Sequence, residues 1–156
     1  MLVVDDEPDI LEVVKDEIAE SCPSAEVYTA GNYASAAELL NSKEYDLVIL
    51  DIMGVRGFDL LEIAAGRKFK VVMLTAHDLN PEALCKTHDL GGMAYLPKDE
   101  IGELVPFLED LLRHNYESGW QLLMQKLDAY FTEKFQSPAW RDKIHWYRHH
   151  TSRSKK

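Results

Sequence analysis

Short apolar runs rich in β-branched residues alternate with stretches of helical periodicity along residues 1–113. Leu2-Val3-Val4, Leu47-Val48-Ile49-Leu50, Val71-Val72-Met73-Leu74 and Ala94-Tyr95-Leu96-Pro97 are continuous enough for strands buried on both faces. Glu26 to Ala30 reads as a further strand, second in chain order. Between the strands, Pro8 opens a helix to about Ala19, with Ile10, Leu11, Val14 and Ile18 on one face. The spacing predicts further helices over 33–41, 57–65, 81–90 and 101–113. Gly91-Gly92 should stop the fourth of these, and Pro106 should sit about one turn into the fifth, where a missing N–H costs least. Strand and helix alternating in this way predict a doubly wound α/β fold with a parallel sheet.

Beyond Arg113 the alternation stops. Ser118 is placed to cap a helix over 119–135, in which Trp120, Leu123, Met124, Leu127, Tyr130 and Phe131 recur at helical spacing. Ser137-Pro138 should open a last helix containing Trp140, Ile144, Trp146 and Tyr147. All three tryptophans of the chain lie in this stretch. That much aromatic surface calls for packing, either on the preceding domain or on a second copy of it. The division expected is a domain over 1–113, a helical extension over 114–148 and a basic, disordered tail over 149–156.

Charge sharpens this division. Residues 1–112 carry 23 acids against 8 Lys and Arg, a balance of −15, while 113–156 carry 4 against 9, a balance of +5. The acidic domain argues against nucleic-acid binding there. No apolar stretch approaches the roughly 18 residues of a membrane span. No basic leader is legible, and the first strand follows Met1 so closely that upstream residues are expected. Cys22 and Cys85 show no metal-binding spacing and read as reduced thiols of a cytoplasmic protein.

The candidate chemistry lies where the runs end. They close on Asp5-Asp6, Asp51, Thr75 and Lys98. In an open parallel sheet, ligands bind at the carboxyl ends of the strands, so these residues should meet at one edge. Three carboxylates in one crevice repel one another, and a hard divalent cation such as Mg²⁺ relieves that conflict. One carboxylate can then attack a phosphoryl group, with a lysine and a hydroxyl to hold its oxygens.

The segments VVDDEPDI (3–10), DLVILDIM (46–53), VVMLTAH (71–77) and GGMAYLPK (91–98) together resemble the receiver domain of two-component response regulators. The resemblance implies a flavodoxin-like five-stranded sheet of order 2-1-3-4-5. It implies Asp51 as phospho-acceptor, with Asp5, Asp6, Asp51 and the Met53 backbone carbonyl as Mg²⁺ ligands. Thr75, neighbouring Ala76, Tyr95 and Lys98 take the phosphate-binding and switch positions. It also implies a histidine kinase or phosphotransfer protein as donor, a downstream protein partner, a homodimer as an open alternative, and no enzymatic output. His77, two residues past Thr75, is expected to modulate hydrolysis without being catalytic.

Two departures stand out. Gly54-Val55-Arg56-Gly57 lacks the usual proline and shortens the loop after Asp51. Pro97 precedes Lys98 where receivers place a proline after it, leaving Asp99 and Glu100 to compete for the lysine. Rival readings are a DNA-binding regulator using the basic tail, a degenerate receiver that binds partners constitutively, and a Mg²⁺-dependent phosphohydrolase. The last needs an acid two residues after the nucleophile, where Met53 stands.

Overall fold

A computed structural model of the chain describes residues 1–76, 80–113, 116–136 and 138–144. Five strands form one parallel sheet: β1 (Leu2–Val4), β2 (Tyr28–Ala30), β3 (Leu47–Asp51), β4 (Lys70–Thr75) and β5 (Ala94–Pro97). Their order is β2-β1-β3-β4-β5. The helices are α1 (Pro8–Ser21), α2 (Tyr33–Ser42), α3 (Gly57–Gly66), α4 (Pro81–Asp89), α5 (Leu104–Leu112) and α6 (Tyr116–Phe135).

The apolar runs are buried because helices cover both faces of the sheet. Every residue of β1 and β3 is buried, and β4 is buried except at Lys70. Val14 and Ile18 of α1, Ala36 and Leu40 of α2, and Leu60, Leu61 and Ala64 of α3 close the core. Each such large apolar side chain contributes about 1.5–3 kcal/mol. Two helix starts use the capping asparagines expected of short polar side chains: Asn32 accepts from the Ser35 N–H at 2.9 Å and Asn80 from the Ala83 N–H at 2.7 Å.

Several boundaries differ from expectation. The second strand starts at Tyr28, two residues late, because Glu26 and Val27 precede the paired register Leu2 to Tyr28. Lys98–Glu103 forms a 3₁₀ segment, so α5 proper begins at Leu104 and Pro106 sits in its first turn. The sixth helix starts at Tyr116, which puts Ser118 inside its first turn and not at its cap. The last helix is a 3₁₀ segment, Pro138–Lys143.

The extension packs on the preceding domain. Trp120, Leu123, Met124, Leu127 and Ile144 are buried in the same core as the sheet. The Trp120 indole N–H donates to the Gly92 carbonyl at 2.9 Å, and its ring meets His88 edge-on at 5.2 Å. Arg141 makes a forked ion pair with Asp128 that ties the 3₁₀ segment to α6. His77, Trp146, Tyr147 and the 149–156 tail lie outside the described residues, as do the side chains of Tyr130, Phe131 and Trp140. No helix among the described residues is long and apolar enough to cross a membrane.

Candidate functional site

The sheet register brings the strand ends together. Val4 lies beside Leu50, Asp51 beside Leu74, and Thr75 beside Pro97. Asp5 and Asp6 therefore leave β1 next to Asp51 at the end of β3, and Thr75 and Lys98 follow on β4 and β5. The edge between β1 and β3 is where the strand order reverses, the position at which open α/β sheets form a crevice.

In that crevice, oxygen atoms of Asp5, Asp6 and Asp51 lie within 4.8 Å of one another. Asp5 and Asp51 are buried and Asp6 is exposed. One oxygen of Asp5 accepts the Glu7 backbone N–H at 2.9 Å, which fixes its carboxylate. Its other oxygen stands 2.7 Å from the ammonium of Lys98. The same ammonium lies 2.9 Å from Glu7 and 3.4 Å from Asp51.

The electrostatics follow from burial and crowding. Burial, reinforced by the charge of Asp5, pushes the Asp51 carboxyl up to about 6, against the opposing pull of Lys98. Burial alone would lower the Lys98 ammonium. Hydrogen bonds to Asp5 and Glu7 and the charges of Asp5 and Asp51 outweigh it and hold the lysine above its ordinary value. Three carboxylates facing one ammonium leave an excess of negative charge, and an oxygen-rich pocket of this kind fits a hard divalent cation.

The loop after Asp51 shapes one wall. Gly54 has φ of +75°, and a Cβ there would collide with the Asp6 carboxylate. Val55 is buried, and its N–H donates to the Met53 carbonyl at 2.8 Å, which leaves that oxygen one lone pair for a further partner. The Met53 side chain points away from the core and is 59% exposed. Arg56 takes the left-handed conformation, φ 56°, so that α3 can start at Gly57 without the missing proline. Its guanidinium is held by Asp59 and lies over the Tyr33 ring.

Thr75 is buried, Ala76 beside it is exposed, and Tyr95 is fully buried within β5. Sequence reasoning did not single out Glu7. The expected competitors Asp99 and Glu100 are exposed on the 3₁₀ segment; the acid on Lys98 is instead Glu7, at the N-cap of α1. Its place directly after Asp5-Asp6 was the available signal. Asp5, not Asp51, is the nearest partner of the lysine.

A family model described as the response regulator receiver domain matches residues 1–108. The chain belongs to the response regulator receiver family. Among solved receivers, that of NtrX from Brucella abortus is 30% identical, with a TM-score of 0.63 over 73% of this chain and 98% of the other. A CheY-like receiver from Methanospirillum hungatei JF-1 is 23% identical, with a TM-score of 0.64 over 72% and 91% of the two chains, and supports the fold. The nitrate/nitrite response regulator NarP of Escherichia coli (strain K12) is 28% identical over 86% of this chain. The receiver chain spans 62% of the length of that relative.

Proposed function

We propose that this receiver is a phospho-accepting signalling protein in which Asp51 takes a phosphoryl group from a phosphohistidine on a kinase or phosphotransfer partner. The observation that carries the reading is the meeting of Asp5, Asp6, Asp51 and Lys98 in one crevice. An Asp51 oxygen forms the new P–O bond while the P–N bond to the imidazole breaks and its electron pair returns to the ring nitrogen. Asp5, Asp6, Asp51 and the free lone pair of the Met53 carbonyl would hold Mg²⁺. When bound, the ion neutralises charge on the transferring group.

The chain's own residues divide the remaining work. Lys98 would leave Asp5 and Glu7 to pair with a phosphoryl oxygen, and the Thr75 hydroxyl would donate to another. Small, exposed Ala76 leaves the entrance open. Tyr95 on β5 would repack as Thr75 moves, and so alter the surface shared by α4, β5 and α5. The output is a change in protein binding in the cytoplasm, with no catalysis on a small molecule. Incubation with phosphoramidate and Mg²⁺, followed by intact mass measurement, should add one phosphoryl group. Equal labelling of Asp51→Asn, or labelling indifferent to a chelator, would refute the assignment.

A further inference from the structure

A cavity of about 590 Å³ lies between the end of β5, the 3₁₀ segment, α5 and α6. Most of its described lining comes from the receiver, and α6 of the extension closes one side. Leu96 and Phe107 contribute apolar surface from one side, and Leu123 and Leu127 from α6. Glu100, Glu103 and Glu109, all exposed, stand along its rim. Asp110 adds a fourth acid, and Arg113 is the one cation among its described lining residues. The described lining thus carries a net charge of −3 above an apolar floor.

From this juxtaposition we infer that the groove between α5 and α6 is a docking site for a basic amphipathic segment of a partner protein. Charge complementarity sets the sign of the occupant: lysines or arginines toward the acids, apolar side chains toward Leu96, Phe107, Leu123 and Leu127. The shape sets its form. Glu100 and Glu103 stand on the 3₁₀ segment and Glu109 and Asp110 on α5, so the acids follow one wall of the groove from one element to the next. The site does not rest on phosphoryl transfer, because its walls and charges are those of the chain as it stands.

The test uses the full chain and a fluorescein-labelled synthetic peptide with leucines at i, i+3, i+4 and i+7 and lysines elsewhere, read by fluorescence polarisation. One comparison peptide replaces the leucines by serine and another replaces the lysines by glutamate. Binding of the leucine–lysine peptide should be saturable, and both comparison peptides should bind far more weakly. The triple variant Glu100→Gln, Glu103→Gln, Glu109→Gln should weaken it about tenfold. A matched variant on α1, Glu12→Gln, Asp16→Asn, Glu20→Gln, removes the same charge from exposed positions elsewhere and should leave it unchanged. Circular dichroism checks that both variants remain folded, as substitution of exposed side chains predicts. Equal weakening by the two variants, equal binding of the serine or glutamate peptide, or no binding at all overturns the proposal.

Discussion

The Lys98 ammonium lies 2.7 Å from Asp5 and 3.4 Å from Asp51, so the lysine sits closer to the end of β1 than to the end of β3. It is nearly as buried as the two aspartates that flank it. The cation therefore has a structural role before any phosphoryl group arrives, since it is what allows two buried carboxylates to stand side by side. Removing it leaves both without compensation. Lys98→Met should destabilise the metal-free protein by about 3–5 kcal/mol in urea denaturation. Saturating Mg²⁺ should recover a large part of that loss. A loss below about 1 kcal/mol would show that the crevice tolerates the uncompensated charges.

Glu7 is a different kind of partner. Its side chain is 58% exposed, so its ion pair with Lys98 is solvated and contributes little to stability. It nonetheless shares the lysine with Asp5 and Asp51 and lies closer to it than Asp51 does. Glu7→Gln should leave the urea midpoint nearly unchanged, within about 1 kcal/mol. It should raise the fraction phosphorylated at a fixed phosphoramidate concentration, read by intact mass. A fall in that fraction would mean that Glu7 supports the loaded state.

Asp51 makes a pH-dependent prediction. With its carboxyl raised to about 6, the folded protein holds a proton that the unfolded chain has already released. The associated stability is present below the ordinary aspartate range, near pH 4, and is lost as pH rises through about 6. At neutral pH the ionised group is a liability in the metal-free protein. Asp51→Asn should therefore be more stable than wild type by about 1–2 kcal/mol near pH 7.5, and the gap should close near pH 4. Added Mg²⁺ should shrink the gap at neutral pH by stabilising only the wild-type carboxylate. A gap of the same size at both pH values would sink the argument.

The extension makes a packing prediction. Trp120 is fully buried and its N–H is spent on the Gly92 carbonyl. Trp120→Ala should cost about 3–5 kcal/mol. Trp120→Phe, which keeps most of the ring but not the donor, should cost about 1–3 kcal/mol. Truncation after Arg113 should expose Leu111 and Met93, both close to Gly119, and lower the melting temperature. A truncated chain as stable and as monodisperse as the full one would show that the extension does not support the domain.

Much of this architecture is legible in the chain because burial on both faces writes itself as unbroken apolar runs. Leu47 to Leu50 and Val71 to Leu74 needed no tertiary information to read as strands. Their polar ends then place Asp51 and Thr75 at one edge, since parallel strands share a direction. The partner of Lys98 was not legible in the same way. Which acid meets an ammonium depends on how α1 leaves β1, and that angle brings Glu7 to the lysine while the 3₁₀ segment leaves Asp99 and Glu100 exposed. The start of α6 was missed for a local reason. Ser118 has the chemistry of a cap, but the helix begins before it at Tyr116, and Gly119 lies close against Leu111 in its first turns. Short β2 shows the same limit, since only register with β1 decides that Glu26 and Val27 stay outside the ladder.

The measurement that bears most directly on the central claim is chemical trapping of the phosphorylated residue. The chain is loaded with phosphoramidate and Mg²⁺, reduced with borohydride, digested and sequenced by mass spectrometry. Reduction of an aspartyl phosphate leaves homoserine at the modified position. The account predicts homoserine at Asp51 alone, absent without Mg²⁺. Homoserine at Asp5 or Asp6 in the wild-type chain, or a phosphoryl group that survives on a histidine with Asp51 intact, would contradict it.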